Sequence, residues 1–126
     1  IIILVSKYME NIGEVGENLA RNYLVNNGYS ILEINYTVPF GEIDIIAENN
    51  RCICFIEVKC RKSRKYGLPE EAVTSHKKKK IIKVAQFYIN KKKIKNKLFR
   101  FDVISVQFEQ SLLKEIKHIT NAFIQE

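Results

Sequence analysis

The chain contains no tryptophan, only two prolines, five glycines and three cysteines among its 126 residues. Because no Pro/Gly-rich joint, low-complexity linker or internal repeat divides it, its elements are expected to share one core. The apolar opening, residues 1–5, is too short to span a bilayer and lacks the flanks of a signal peptide. We expect residues 1–11 to be an N-terminal extension, disordered or read from upstream of the true start, and residues 12–126 to form one domain.

The three cysteines lie within one short stretch, at positions 52, 54 and 60. An odd number in so tight a cluster is not typical of a secreted disulfide framework, and a reducing cytoplasm fits better. Only His76 and His118 are available to complete a zinc site, and neither stands at ligand spacing. Cys52, Cys54 and Cys60 are therefore expected to be small, buried apolar residues.

Negative charge is in the minority: the net charge is +7 and the pI is about 9.3. Such a surface attracts polyanions, nucleic acid first. Considered alone, the charge is explained equally well by the compositional bias of an AT-rich genome. The lysines of residues 77–80 and 91–97 would track a phosphate backbone, but a solvated helix face also accounts for them.

Apolar periodicity and turn residues divide the chain into helices and strands. The first helix is supported by small and apolar residues at three- and four-residue spacing, with Gly28 placed to end it. The order of elements predicts an α/β fold, a mixed sheet flanked by helices. The predicted elements are a helix over residues 12–27, strands over 29–36, 42–48 and 51–59, a helix over 75–90, a strand over 99–108, and a short strand over 116–119 before a tail.

The two alternating runs around Asn49-Asn50 predict a β-hairpin with these two residues as its turn. That turn pairs Asp44 with Phe55 and Glu42 with Glu57, and paired residues share a face. The apolar face is expected to contain Ile43, Ile45, Ala47, Cys52, Cys54, Ile56 and Val58. The opposite face is apolar near the turn and charged at its far end, where Glu42, Asp44, Glu57 and Lys59 lie.

Asp44 and Glu57 are predicted to be diagonal neighbours, roughly 7–8 Å apart, so that both carboxylates reach one cation. Mg²⁺ or Mn²⁺ takes one or two carboxylates together with waters and phosphate oxygens. Lys59 would then stabilise developing charge or position the attacking water. The alternative is a surface salt-bridge cluster with Lys59 and Arg61. The strongly apolar run of residues 53–58 around Glu57 favours the metal site.

Other charged residues are candidates for the same site. Glu17 lies in line with the buried stripe of the first helix, so its carboxylate requires a partner. Lys77 continues the core stripe of the second helix and would approach a substrate phosphate. Asp102 is a weaker candidate, because pairing with Arg100 explains it better. The loop after the Glu57 strand would contact the nucleic-acid backbone through Arg61, Lys62, Arg64 and Lys65.

The runs Gly41-Glu42-Ile43-Asp44 and Phe55-Ile56-Glu57-Val58-Lys59-Cys60-Arg61 resemble the D…ExK core of the PD-(D/E)xK restriction-endonuclease-like superfamily. The resemblance is closer to the small, uncharacterised bacterial YraN family, and it covers about residues 13–123. Ile43 stands where the superfamily's name has proline. The other matching residues are Gly16, Glu17, Ala20, Gly28, Tyr29, Asn35, Tyr66, Gly67, Thr74, Lys77, Ala85, Tyr88 and the runs 100–103 and 121–123.

This resemblance implies a restriction-endonuclease-like αβββαβ core, also similar to archaeal Holliday-junction resolvases, in a single nuclease-like domain. It implies catalytic positions for Glu17, Asp44, Glu57 and Lys59, with metal held by Asp44 and Glu57. The leading hypothesis is a metal-dependent endonuclease that hydrolyses phosphodiester bonds of nucleic acid. DNA, including branched or damaged DNA, is favoured as the substrate, although no residue pattern here distinguishes DNA from RNA. A non-catalytic nucleic-acid-binding module and an assembly protein are the alternatives. No membrane partner is expected, and a homodimer or a monomer that nicks is equally compatible.

Overall fold

The computed structural model describes residues 12–62, 73–110 and 112–123, so the predicted extension of residues 1–11 lies outside the described residues. Neither helix of this described part is long and apolar enough to cross a lipid bilayer. The elements, in chain order, are α1 (Ile12–Asn26), β1 (Ser30–Val38), β2 (Gly41–Asn49), β3 (Cys52–Arg61), α2 (Ser75–Lys92), β4 (Leu98–Glu109) and β5 (Leu112–Phe123).

The strands form one five-stranded sheet in the order β1-β2-β3-β4-β5. Strands β3 and β4 are parallel, because α2 connects them as a crossover, and every other neighbouring pair is antiparallel. The predicted α/β fold, a mixed sheet with helices and a restriction-endonuclease-like core, is confirmed.

Alternate residues of β3 enter two separate cores, one on each face of the sheet. Phe55 packs with the α2 residues Ile81 and Val84 in one core. Ile56 packs with the α1 residues Ala20 and Leu24 in the other. The two helices therefore cover opposite faces, and a side chain on β3 is directed toward one helix or the other according to its position.

The ends of the helices follow from their sequences. After α1, Gly28 adopts a φ of 88°, which a residue without Cβ reaches easily, and Tyr29 N donates to Leu24 O at 2.9 Å. Thr74 caps α2, since its hydroxyl accepts from Lys77 N at 3.2 Å. Lys93, with a φ of 53°, ends the helix. The cap fixes the first turn of α2, where Lys77 lies.

The hairpin register predicted from the sequence is wrong. Asn49 pairs with Cys52, so the turn consists of Asn50 and Arg51, with φ values of 49° and 64°. Positive φ at both central residues is what a tight hairpin turn requires. The change preserves the faces of most residues but brings Asp44 next to Glu57 instead of opposite Phe55, because Ile45 pairs with Ile56.

Strand β5 is longer than predicted, since it covers Leu112–Phe123 rather than residues 116–119 alone. Seven of its twelve residues are exposed and half are polar, so its sequence lacks the apolar signal of a buried strand. Backbone pairing with β4 extends from Glu109↔Leu112 to Phe101↔Phe123. Strand β5 therefore forms because it pairs with the buried strand β4, although the composition of β5 does not predict its full length.

Candidate functional site

The carboxylate of Asp44 lies where the ladder between β2 and β3 ends. The last backbone pair at this end is Ile45↔Ile56, and beyond it Val58 N donates to Asp44 Oδ2 at 2.8 Å. A strand N–H that loses its carbonyl partner needs another acceptor, and the side chain supplies it. This hydrogen bond fixes one oxygen of Asp44 and holds the carboxyl group against β3, beside Glu57.

The alternation of faces along β2 breaks at Asp44. Ile45 lies in the core beneath α1, whereas Ile43 lies in the core beneath α2, although the sequence predicts both on one face. The neighbouring pairs Ile34↔Ile45 and Tyr36↔Ile43 place Asn35 of β1 across from Asp44. Asn35 has a φ of 50°, a left-handed conformation that asparagine tolerates better than most residues. The distortion allows Asp44 to interact with groups from both faces.

Glu57 is the buried carboxylate of the site, with 6% of its side chain exposed. It shares the α2 face of β3 with Phe55 and pairs with Val103 of β4. Lys77 Nζ lies 2.6 Å from Glu57 Oε1, and Lys59 Nζ lies 3.7 Å from the same oxygen. Two ammonium groups, one from α2 and one from β3, therefore compensate a charge that burial alone would make costly.

Glu17 of α1 reaches the same place from the other side of the sheet. Its side chain is half-buried and hydrogen-bonds to the carboxyl group of Asp44. Burial raises the pKa of Glu17, and the charges of Glu42 and Glu57 raise it further. A hydrogen bond between two carboxyl groups requires that one of them carries a proton. The sequence predicts that the Glu17 carboxylate needs a partner, and in the structure that partner is Asp44.

Asp44 has the most perturbed carboxyl group of the site. Burial, followed by the negative charge of Glu57, raises its pKa from 3.8 to about 7, against the hydrogen bond from Val58 N and the charge of Lys77. Near neutral pH the carboxyl group is therefore poised between its two protonation states. Carboxyl groups that repel one another in a partly buried place are frequent at functional sites.

The two lysines have opposite shifts. Burial lowers the pKa of Lys59, and the neighbouring ammonium of Lys77 lowers it further. Burial opposes the charge of Lys77 too, but its hydrogen bond to Glu57 outweighs this and raises its pKa. Lys77 is thus the persistent cation of the pair, whereas Lys59 releases its proton more readily than an ordinary lysine.

The donor set fits a hard divalent cation. Asp44 and Glu57 offer carboxylate oxygens from adjacent strands, which are the ligands that Mg²⁺ prefers. Among residues 12–62, 73–110 and 112–123, no three His, Cys, Asp or Glu side chains are grouped to enclose a metal. A cation held by two carboxylates completes its coordination with water and substrate oxygens. Burial first and the charge of Glu57 second disfavour the charged form of Asp44, and a divalent cation would offset both effects.

The other predicted contacts with nucleic acid are only partly described. Lys77 lies within the site, in contact with Glu57. Arg61 is the last residue of β3 and is half-buried, and Lys62 directly after it is exposed. Arg64 and Lys65 lie outside the described residues.

Asp102 lies on the opposite face of the sheet from Glu57, because it pairs with Ile56 whereas Glu57 pairs with Val103. Arg100 donates two hydrogen bonds of 2.8 Å to its carboxylate, and Asn121 N donates another of 3.0 Å. The expected pairing with Arg100 is confirmed. His118 Nε2 lies 2.8 Å from Asp102 Oδ2, a contact that the sequence did not predict, because no local pattern relates these residues.

The cysteines lie on the face opposite Glu57, as predicted. Cys54 is buried in the core beneath α1, and Cys52 and Cys60 pack against that core. All three are free thiols. Burial raises the pKa of Cys54 to about 12 and that of Cys60 to about 11, so both remain protonated near neutral pH. A protonated thiol is neither a good nucleophile nor a good metal ligand.

Comparisons with known proteins agree with the resemblance to the YraN-type family. The model of an uncharacterised protein family, UPF0102, matches residues 16–106. A UPF0102 protein of Persephonella marina is 50% identical over 111 residues, which cover 88% of this chain and 91% of that protein. One from Caldanaerobacter subterraneus is 47% identical over 116 residues, covering 90% and 95%. One from Clostridioides difficile is 50% identical over 111 residues, covering 88% and 95%. The chain therefore belongs to the uncharacterised protein family UPF0102.

Proposed function

We propose that the protein is a metal-dependent endonuclease that hydrolyses phosphodiester bonds of nucleic acid, DNA in preference to RNA. One observation carries the proposal: Glu17 and Glu57 both interact with the carboxyl group of Asp44, beside two lysines, and the pKa of Asp44 is raised to about 7. A structural ion-pair cluster would lower the pKa of its carboxyl groups, as occurs at Asp102. A carboxyl group whose charged form is disfavoured by burial and by Glu57 instead suits a cation that arrives with the substrate.

Asp44 and Glu57 would hold Mg²⁺ or Mn²⁺, each through carboxylate oxygens. When bound, the ion supplies positive charge to the phosphate oxygens and lowers the pKa of the attacking water. Asp44 must be deprotonated to bind it, and its hydrogen bond from Val58 N keeps the carboxylate oriented. In the metal-free protein Asp44 carries the proton of the hydrogen bond with Glu17, because the pKa of Asp44 is raised to about 7 whereas that hydrogen bond opposes the rise at Glu17. Metal binding would release this proton to solvent.

The lysines have separate tasks in this mechanism. Lys59, whose pKa is lowered, lies beside Glu57 and can hold the attacking water by hydrogen bonds or neutralise charge that develops on the phosphate. Lys77 remains charged and faces the site from α2, where its ammonium would bind a phosphate oxygen once it leaves Glu57.

The basic surface supports nucleic acid as the substrate. The net charge of +7 favours a polyanion, and Arg61 and Lys62 lie at the end of the strand of Glu57, with Arg64 and Lys65 shortly after them in the sequence. Branched or damaged DNA is the substrate class that the superfamily resemblance favours. The proposed compartment is the reducing cytoplasm, where the cysteines stay thiols. Cutting both strands of a duplex would suit a homodimer.

A specific contact favours a second candidate, a nucleic-acid-binding module without catalysis. The ammonium of Lys77 already lies 2.6 Å from Glu57 and supplies the positive charge that a metal ion would otherwise bring to this carboxylate. If Lys77 keeps that position with substrate present, the site binds phosphate through its lysines and never takes up metal. The two candidates differ in one measurable property, the requirement for a divalent cation.

The deciding experiment incubates the purified protein with labelled single-stranded, duplex, flapped and four-way-junction DNA and with structured RNA. Each substrate is tested with Mg²⁺, with Mn²⁺ and with chelator. Glu57→Gln should lower the cleavage rate at least about 100-fold while binding is retained. Glu48→Gln is the matched control, because Glu48 is a β2 carboxylate that pairs with Lys97 away from the site.

Cleavage that needs metal and is lost in Glu57→Gln but not in Glu48→Gln would establish the nuclease. Binding without cleavage on every substrate, unchanged by chelator and by Glu57→Gln, would establish the binding module instead. Cleavage that survives Glu57→Gln would show a contaminating nuclease and would remove the support for this site.

A further inference from the structure

An exposed pair of aromatic rings lies on the α2 side of the molecule. Phe40, between β1 and β2, and Phe87 of α2 pack edge to face, with ring centroids 5.7 Å apart and an interplanar angle of 83°. Both remain accessible, with relative exposures of 44% for Phe40 and 38% for Phe87. Phe87 lies outside the buried stripe of α2, so neither core requires an aromatic residue at this position.

The connection between β1 and β2 rests directly on α2. A Cβ added to Gly41 would lie 2.8 Å from Val84 Cγ2, so only glycine permits this approach. Gly41 follows Phe40 in the chain, and Val84 precedes Phe87 by about one helical turn. The close packing therefore holds the two rings against each other on a rigid support.

A row of lysines connects the aromatic pair with the candidate site. Lys80, Lys83 and Phe87 follow Lys77 at three- or four-residue intervals, which places consecutive members next to one another along α2. Beyond the ring, Lys91 Nζ lies 5.7 Å from the Phe87 centroid. At a rise of about 1.5 Å per residue, Phe87 is roughly 15 Å from Lys77 along the helix. The row begins at the ion pair of Lys77 with Glu57.

We propose that Phe40 and Phe87 form a stacking platform for unpaired bases of the same nucleic-acid strand whose phosphate enters the site. The lysines between them would follow the backbone of that strand. Aromatic rings flanked by cations are how proteins bind single-stranded nucleic acid, because every base offers a π-face. The platform thus selects substrates that have a single-stranded segment next to the cleaved bond. This assignment of substrate class rests on the proposed function.

Nucleic acid fits this surface better than a protein partner. Lysine is depleted at the centre of protein interfaces, where burying its charge is costly. Lys80, Lys83 and Lys91 surround the rings on α2, so a protein docked on Phe40 and Phe87 would have to cover them. A strand of nucleic acid instead places its bases on the rings and its phosphates beside the ammonium groups.

The test is fluorescence anisotropy in chelator, where binding is measured without cleavage. The probes are a labelled oligonucleotide, as DNA and as RNA, and the same DNA sequence with a single-stranded flap or fully paired. Phe40→Leu and Phe87→Leu keep an apolar side chain but remove the ring. Each should weaken binding to single-stranded and flapped probes by about fivefold or more, with little change on the duplex. Phe87→Tyr should retain the wild-type affinity.

Salt dependence separates the rings from the lysines. The Phe→Leu variants should keep the wild-type slope of log affinity against log salt, because they remove no ionic contact. Lys80→Gln combined with Lys83→Gln should make that slope shallower on every probe. Two controls should match the wild type: Leu98→Ala, at an exposed apolar residue of β4, and Lys114→Gln, at a lysine on β5 that pairs with Glu109.

Equal losses on duplex and single-stranded probes, or no loss from either Phe→Leu variant, would overturn the platform. So would a shift of the sedimentation coefficient toward smaller species in those variants, since a second copy of the chain would then be the occupant. The experiments distinguish failure of the platform from failure of the nuclease proposal. Binding that depends on the rings, without any cleavage, would support the platform and contradict the nuclease. Metal-dependent cleavage that does not depend on the rings would support the nuclease and contradict the platform.

Discussion

Lys77 Nζ and Glu57 Oε1 lie 2.6 Å apart, although one belongs to the first turn of α2 and the other to the middle of the sheet. The ammonium takes the place that a divalent cation would need at this carboxylate. In Lys77→Gln the affinity for Mn²⁺ should therefore rise several-fold, because a competing cation is gone. The affinity for nucleic acid should fall, and its salt slope should decrease by about one.

Calorimetric titration with Mn²⁺ and anisotropy with a DNA probe measure these two effects separately. Lys114→Gln controls for the loss of one positive charge, since Lys114 lies at the β4–β5 end of the sheet. A weaker Mn²⁺ affinity in Lys77→Gln would mean that Lys77 supports the metal site instead of competing for it.

Because the pKa of Asp44 is raised, the free energy of unfolding of the metal-free protein should fall as the pH rises. The unfolded chain loses the Asp44 proton near its ordinary pKa of 3.8, whereas the folded protein keeps it up to about 7. The contribution of this group to stability is thus complete below 3.8 and is lost as the pH rises through about 7. Asp44→Asn should be more stable than the wild type at pH 8, by more than about 1 kcal/mol, and nearly equal to it at pH 4.

Urea denaturation in chelator at both pH values measures the difference. Added Mg²⁺ should raise the melting temperature of the wild type at pH 8 and leave that of Asp44→Asn unchanged, because only the carboxylate binds the ion. A stability difference that is the same at pH 4 and pH 8 would refute the raised pKa.

Much of the fold could be predicted because its signals are local. The apolar periodicity of α1 and α2 and the alternation in β2 and β3 follow from burial against one neighbour. The hairpin turn could not be predicted, because two pairs of residues, Asn49-Asn50 and Asn50-Arg51, can each form a two-residue turn. Asparagine tolerates positive φ better than arginine, so the sequence favours Asn49-Asn50. Arg51 adopts its positive φ where contacts distant in sequence hold it: Leu98 N donates to Arg51 O at 3.0 Å, and Arg51 Nη2 donates to Asn96 O at 3.2 Å.

The charged residues of the site could be predicted from the two motif runs and the first helix, but their interactions could not. That Glu17 bonds to Asp44 depends on the broken alternation at Asp44, which requires the left-handed Asn35 of a different strand. The Phe40–Phe87 contact likewise joins distant parts of the chain. Its signal in the sequence is weak: one phenylalanine outside the core stripe of a helix and one in a turn.

Gly16 sets the position of α1 and with it that of Glu17. A Cβ at residue 16 would lie 1.9 Å from Cys60 Sγ, so in Gly16→Ala the Cys60 side chain must rotate within the packed core or the helix must move away from β3. We expect a loss of about 1–3 kcal/mol in stability and a reduced cleavage rate, because Glu17 moves with the helix. Thermal denaturation and the cleavage assay measure both effects.

A second substitution distinguishes this steric cause from a change in helix propensity. Gly16→Ala combined with Cys60→Ala removes the sulfur that clashes, and the remaining atom, Cys60 Cβ, is 3.3 Å away. The double variant should therefore recover most of the lost stability and activity relative to Gly16→Ala. Additive losses in the double variant would contradict the steric explanation.

Asp102 should be essential for stability and irrelevant to the proposed chemistry. Its carboxylate is fully buried, and Arg100, His118 and Asn121 N surround it. Burial alone would raise its pKa, but the contacts with His118 and Arg100 prevail and lower it. Asp102→Asn leaves the guanidinium of Arg100 with a neutral partner and should cost about 3 kcal/mol or more.

The lowered pKa also gives this loss a pH dependence of opposite sign to that of Asp44. A carboxyl group with a depressed pKa contributes its stability above the unfolded value of 3.8, and the contribution disappears as the pH falls through the lower folded value. The difference between wild type and Asp102→Asn should therefore shrink below pH 4. At a temperature where both are folded, the variant should retain wild-type nucleic-acid binding and cleavage, unlike Glu57→Gln. Loss of cleavage in folded Asp102→Asn would instead make the buried network part of the active site.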